Sequence, residues 1–173
     1  MSTNVIKVAV KPWLKLIWLS GFLILAVCPV VAFLKSTGME RMIQILIFSA
    51  ILAVYVWFIS GDFIFLLKIE NDFFTGRSKT GKKYKFHCSE IKKIKYSART
   101  KGKYQTVEFS IIIETKTMQL KTTDVMTNFS KLAAYLLEQR EAGVLKKSAI
   151  APSYLNNLKY VAEGTHLKML KKK

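Results

Sequence analysis

The sequence predicts an α+β membrane protein: a two-helix transmembrane hairpin, then a small antiparallel β-barrel or sandwich capped by one C-terminal helix. Three observations carry this. Two uncharged apolar runs, Leu16–Leu34 and Met42–Gly61, stand close together, and each approaches the roughly twenty helical residues that cross a hydrocarbon core. From Phe63 apolar and polar residues alternate, the period of a half-buried strand. After Asp124 the period returns to that of an amphipathic helix.

Charge follows the same division. Among 173 residues there are 28 Lys+Arg against 11 Asp+Glu, a formal net charge of +17, yet mean hydropathy is +0.22. Five basic residues (Lys7, Lys11, Lys15, Lys35, Arg41) and two acids (Glu40, Asp62) precede Lys68. The remainder is strongly basic and long enough for one small domain. Cys28 and Cys88 fall in different regions, the first apolar run and the basic part, so a structural disulfide is not expected and a reducing compartment fits.

The organisation expected is an N-terminal arm (1–12), helices over 13–34 and 42–61, a short external loop (35–41), a cytoplasmic domain (62–145) and a basic tail (146–173). The first run is longer than a signal-peptide core and a second run follows at once, so an uncleaved anchor is expected. Lys7, Lys11 and Lys15, with the basic series after the second run, outweigh the charge of the connector Lys35–Arg41. The positive-inside rule then places both termini in the cytoplasm. Trp13, Trp18, Tyr55 and Trp57 suit aromatic belts at that interface. Pro29 is read as a packing feature of the first helix, and Gly61-Asp62 as the end of the second at the headgroups.

In the soluble part, Phe65, Leu67 and Ile69 begin a strand, Asn71-Asp72 is a turn, and Phe73–Thr75 resumes extended structure. Tyr84, Phe86 and Cys88 share one face, as do Ile94 and Tyr96, then Val107, Phe109, Ile111 and Ile113, then Met118, Leu120 and Thr122. Short strands at such intervals predict a meander curling into a barrel or sandwich. Phe129, Leu132, Ala133, Leu136 and Leu137 line one helical face, with Thr127 or Asn128 as N-cap and Gly143 at the C-terminal end. In the tail, Tyr154, Leu155, Leu158 and Val161 suit a short helix, and Thr165–Lys173 either lies on a bilayer or stays disordered.

Two helices, about seven strands between Phe65 and Thr122, and one amphipathic helix over Asn128–Ala142 resemble membrane-anchored bacterial proteins with a pleckstrin-homology-like domain. The stretch Lys82–Tyr96 (KKYKFHCSEIKKIKY) is similar to the strand, Ser-Glu-Ile turn and next strand common in these domains. The resemblance covers about residues 16–142. It implies a multi-pass protein of the bacterial cytoplasmic (inner) membrane and a domain that binds protein, peptide or lipid headgroup. It supplies no catalytic residue.

Several motifs invite chemistry and fail on context. Gly76–Lys83 spells G-x-x-x-x-G-K-K, but Lys83 stands where a P-loop needs Ser or Thr, and a strand pattern follows where a helix must start. Lys79-Thr80-Gly81 and Ser89–Lys92 mimic two penicillin-binding motifs in reversed order, without the third. His87 and Cys88 are neighbours on a strand and face opposite sides, and His166 is remote, so no zinc site is expected. No enzyme, metal or cofactor is predicted.

What remains is charge. Lys82, Lys83, Lys85, Lys92, Lys93, Lys95, Arg99, Lys101 and Lys103 crowd one stretch, and Lys83/Lys85 could face Lys93/Lys95 across a hairpin. Lysines also protect exposed strand edges, so the cluster has a purely structural reading beside attraction to anionic headgroups. Besides the bilayer itself, the partners expected are anionic lipid headgroups or a membrane-protein partner. The function expected is a non-enzymatic, membrane-anchored binding or scaffold module. A subunit of a transport or secretion assembly, packing through Ser20, Gly21, Ala26 and Ala32, and self-protection against a membrane-active bacteriocin are the alternatives. Nucleic acid would exploit the same charge, but no recognition helix or aromatic stacking set accompanies it.

Overall fold

A computed structural model describes residues 5–35, 37–101 and 106–165. It divides into two compact units. One is a helical pair with the short Lys79–Gly81 segment, and the other holds every strand and the C-terminal helices.

In the helical unit, α1 spans Pro12–Lys35 and α2 spans Gly38–Ile64. Both are long and apolar enough to cross a membrane: mean hydropathy reaches 2.5 and 2.4, and none of either best window is buried. α1 is helical through Pro29. The connector is shorter than the expected 35–41, because the helices end and begin at Lys35 and Gly38. α2 does not stop at Gly61-Asp62 as expected. One glycine costs only about 1 kcal/mol within a helix, and the chain continues helical through the apolar Phe63-Ile64, with the Phe65 N–H donating to the Gly61 carbonyl at 3.1 Å.

The helices meet at a small residue facing a large one. A Cβ on Gly21 would lie 2.5 Å from the Tyr55 hydroxyl, which donates to the Trp18 carbonyl at 2.8 Å. Tyr55, expected in an aromatic belt, thus serves the helix–helix contact. Lys15 stands 5.6 Å from the Phe63 ring, and Trp18 packs on the same ring at 5.7 Å. Gly21→Val should lower the thermal midpoint of the helical unit in detergent, and Tyr55→Phe should lower it less, since an interhelical hydrogen bond averages about 0.6 kcal/mol. Equal midpoints for Gly21→Val and the parent chain would show that the close approach is dispensable.

The second unit contains two antiparallel sheets. The first, in order β1-β2-β3-β4, joins Ile6–Ala9, Leu66–Glu70, Phe73–Arg77 and Lys83–His87. The second, in order β5-β6-β7, joins Lys93–Lys101, Thr106–Glu114 and Gln119–Thr123. Among the described residues no ladder joins the sheets, so they do not close into a barrel. Among the described residues six strands, where about seven are expected, lie between Leu66 and Thr123. The seventh is β1, from the segment expected to be a free arm: Ile6 pairs with Ile69, Val8 with Leu67 and Ala9 with Leu66. Its sequence, Ile-Lys-Val-Ala, has the alternation and β-branching of a strand, and Val8 is fully buried.

The buried faces are those the alternation marks: Leu67, Ile69 and Phe86 in one sheet, joined by Phe74, and Ile94, Phe109, Ile111, Ile113 and Leu120 in the other. Asn71 and Asp72 form a two-residue turn between the partners Glu70 and Phe73, both with positive φ (49° and 63°), the type I′ geometry that Asn and Asp tolerate. β4 and β5 do not form a hairpin. A 3₁₀ turn, Cys88–Glu90, carries the chain from one sheet to the other, closed by the Ser89 N–H donating to His87 Nδ1 and the His87 N–H donating to Glu90 Oε1.

Among the described residues two helices follow the sheets, the expected capping helix and the short helix expected in the tail. α3, Phe129–Glu141, buries Phe129, Leu132, Ala133 and Leu136. The tail expected from residue 146 contributes α4, Pro152–Ala162, which buries Leu158 and Val161 and packs with α3. Ile150 bridges to Ile94 at the β5 edge, so the tail belongs to the folded unit at least through α4. The segment after Thr165, including His166, lies outside the described residues.

Thr127 and Asn128 make no side-chain cap on α3. They bind β1 instead: the Ala9 N–H donates to Thr127 Oγ1 at 3.2 Å, the Thr127 N–H donates to the Ala9 carbonyl at 2.7 Å, and Asn128 Nδ2 donates to the Lys7 carbonyl at 2.7 Å. The outer edge of β1 is thereby occupied.

Candidate functional site

The expected cationic cluster divides between the sheets. Lys82 is exposed in the loop before β4, and Lys83 and Lys85 project from β4's outward face. Lys92, Lys93 and Arg99 are exposed at or along β5, and Lys95 is half-buried. Lys103, and the side chain of Lys101, lie outside the described residues. Lys83/Lys85 and Lys93/Lys95 therefore do not oppose each other, since the 3₁₀ turn sends β5 into another sheet. Lys93 faces Glu114 in register, and Lys95 Nζ meets Glu114 Oε1 at 2.6 Å.

That pair has a measurable signature. The hydrogen bond from Lys95 is the leading cause holding the Glu114 carboxyl below its ordinary value, with further help from Gln119 and Lys93. A depressed folded pKa means the stabilising contribution is present above the usual carboxylate range and lost as pH falls through the folded value. Lys95→Met should move the Glu114 titration, followed by carboxyl NMR, back upward. An unchanged titration would remove Lys95 as the cause.

The first sheet builds a basic face that reading along the sequence does not reveal. Pairing aligns Lys7, Lys68, Thr75 and Lys85 in one cross-strand row, and Ala9, Leu66, Arg77 and Lys83 in the next. Lys7 directly faces Lys68, and Arg77 directly faces Lys83. Like charges so placed are destabilising by a few tenths of a kcal/mol or more. Glu70 bridges Lys68, and Lys85 stands 5.1 Å from the Phe73 ring, which packs edge-on against His87 at 5.0 Å. A shallow cleft of about 540 Å³ on this sheet is lined by Leu66, Thr75, Gly76, Arg77, Lys83, Tyr84 and Lys85. Lys7, Lys68 and Arg77 are the members that the sequence reading missed. The Lys7 signal was the alternation of its own short segment, whose partner strand lies beyond both helices.

Gly76 sets the geometry of that cleft. It pairs with Leu67 on one side and Tyr84 on the other. The Tyr84 hydroxyl reaches past it to donate to the Leu66 carbonyl at 2.9 Å. A Cβ at Gly76 would lie 1.9 Å from the Leu66 oxygen and 2.8 Å from the Tyr84 hydroxyl. Burial pushes the Tyr84 phenol well above its ordinary pKa, so it remains a neutral donor.

Other polar groups tie elements of the sheet unit together. Tyr135 on α3 donates to Asp72 Oδ1 at 2.8 Å, and the Cys88 N–H donates to the Asp72 carbonyl at 2.8 Å, which ties the β2–β3 turn to α3. Burial, then the nearby Asp72 charge, push the Cys88 thiol up to about 11, while a hydrogen bond with Tyr135 works against them. This buried thiol is a poor nucleophile. The P-loop-like stretch Gly76–Lys83 is the β3–β4 hairpin, closed by the Ser78 N–H donating to the Lys82 carbonyl at 2.9 Å. No group of three or more His, Cys, Asp or Glu residues able to hold a metal occurs among the described residues. Cys28 and Cys88 are both free thiols. Comparison with protein families, with curated proteins and with solved structures gave no match.

Proposed function

We propose that this chain is a non-catalytic, membrane-anchored module whose α1–α2 hairpin spans a bilayer and whose basic sheet binds anionic lipid headgroups. The observation that carries the reading is the β1–β2 pair. It completes one of the two basic rows with Lys7 and Lys68, and it does so on the two strands that adjoin α1 and α2. Because Ala9 and Leu66 are register partners, the chain leaves the sheet after Ala9 and re-enters it at the facing position. A hairpin held in that way keeps both feet on one side of a bilayer. The positive-inside rule makes that side the cytoplasm. Sheets of four and three strands followed by α3 support the resemblance to membrane-anchored bacterial pleckstrin-homology-like proteins, although β1 precedes the two helices instead of following them.

Like charges facing each other, such as Arg77 and Lys83, are costly in the free protein, and an anionic surface relieves them. Each lysine close to such a surface contributes about 1 kcal/mol, and salt screens the attraction. The test uses the full chain in nanodiscs of phosphatidylcholine with or without phosphatidylglycerol. Amine labelling is read residue by residue. Lys7, Lys83 and Lys85 should be protected severalfold with the anionic lipid, and high salt should remove the protection. Labelling that does not depend on lipid charge would overturn headgroup binding and leave a protein partner as the reading to pursue.

A further inference from the structure

A second basic concavity, separate in its lining from the cleft of the first sheet, gathers three cations from three remote parts of the chain. Lys92 stands just before β5, Lys116 in the β6–β7 turn, and Lys146 between α3 and α4. They line one cavity of about 570 Å³ together with Ser89, Ser148 and Glu90, over Ile91. All three lysines are exposed, and Ile91 is buried. The volume falls in the range of small-molecule sites, roughly 300–1,000 Å³.

The one acid in the lining does not cancel the charge. Glu90 already accepts the His87 N–H at 2.7 Å as part of the 3₁₀ cap, and a single carboxylate cannot neutralise three ammonium groups. The fold also holds the three segments together. The Lys92 N–H donates to the Glu114 carbonyl at 2.8 Å, the Thr115 N–H donates to the Met118 carbonyl at 2.9 Å, and the Leu145 N–H donates to the Gln139 carbonyl at 3.0 Å. Each lysine therefore projects from a backbone position fixed by hydrogen bonding beside or at it. Three ammonium donors and two serine hydroxyls around one concavity match a compact, multiply charged oxyanion, for which Lys acts as a point charge and Ser as a donor.

We infer that Lys92, Lys116 and Lys146 form a binding site for a phosphomonoester group. A soluble phosphorylated metabolite and a lipid phosphate headgroup share that chemistry, and the experiment separates them. The full chain is placed in nanodiscs of phosphatidylcholine alone and titrated with glycerol 3-phosphate by calorimetry and ³¹P NMR. In a second arm, phosphatidic acid is built into the nanodisc and its ³¹P signal is followed. Saturable binding in either arm, weakened at least tenfold by Lys116→Ala with Lys146→Ala and unaffected by Lys131→Ala with Lys159→Ala, exposed lysines of α3 and α4 outside both linings, supports the site. The arm that responds identifies the source.

Ser148→Asp, which places a negative charge on the rim without removing a lysine, should abolish the same signal. It covers the case in which the double alanine variant folds poorly. No saturable binding in either arm overturns the proposal. So does binding that the Lys131/Lys159 variant weakens equally, because that would be general attraction to a basic protein. The labelling experiment on the first sheet stands or falls separately.

Discussion

Replacing Gly76 with alanine is expected to cost the sheet unit about 3 kcal/mol or more, the upper end of what overpacking does. The new Cβ would sit 1.9 Å from the Leu66 carbonyl oxygen. That atom is backbone, and β2 cannot retreat without loosening its pairing with β1 or β3. The second obstacle, the Tyr84 hydroxyl at 2.8 Å, could swing away only by giving up its hydrogen bond to Leu66. Small domains gain only about 5–15 kcal/mol from folding in total, so the midpoint should fall by roughly 10 °C or more. Tyr84→Phe separates the contributions: it removes only the hydrogen bond, worth about 1 kcal/mol. Thermal unfolding followed by circular dichroism tests both variants. A Gly76→Ala protein that melts with the parent would show that β2 and β3 can move apart at no cost.

Comparable damage is expected from Val8→Asp. Val8 is fully buried opposite Leu67, and an unpaired carboxylate there should cost roughly 4 kcal/mol or more. Its neighbour provides the control. Lys7 points outward against Lys68, so Lys7→Asp should stay within about half a kcal/mol or relieve repulsion. Hydrogen exchange at the β2 amides would read the difference, with Val8→Asp opening the strand and Lys7→Asp leaving it protected.

The same pairing predicts a construction. Since Ala9 and Leu66 are partners, an Asn-Gly turn joining them directly would copy the Glu70–Phe73 hairpin of the same sheet. A chain of residues 5–9, Asn-Gly and 66–165 should fold in water, whereas 66–165 alone should aggregate through the uncovered edge of β2. Solubility of the shorter fragment equal to that of the longer would contradict an essential β1.

What was legible in the sequence had a period to read. Leu16–Leu34 and Met42–Gly61 are long enough that their apolar character alone marks them, and the alternation from Leu67 to Thr122 named most buried residues of β2 and β4–β7, though not Phe74 or Ile91. Boundaries failed where local chemistry was ambiguous. Gly61-Asp62 reads as a stop, but apolar residues on both sides carry α2 to Ile64. Thr127 and Asn128 read as caps, but their hydrogen bonds go to β1. The site was the least legible, because adjacency in a sheet is not adjacency in the chain. A run of lysines around residues 82–103 drew attention to neighbours that the 3₁₀ turn then parted. Lys7, Lys68 and Arg77 carried no mark until pairing set them in rows, and Lys116 and Lys146 are isolated charges until the β6–β7 turn and the α3–α4 connection bring them to Lys92.

The position of α1 and α2 between paired strands has a consequence for folding order. Ala9 and Leu66 are register partners with residues 10–65 between them, and a flexible chain of that length would lose considerable entropy on closing. Antiparallel helices joined by so short a connector return the chain to where it left, so a distant pairing becomes nearly local. β1 pairs with a strand that follows both helices in the chain, and a formed hairpin lowers the cost of that pairing. The hairpin is then the loop whose closure brings the first strand to its partner.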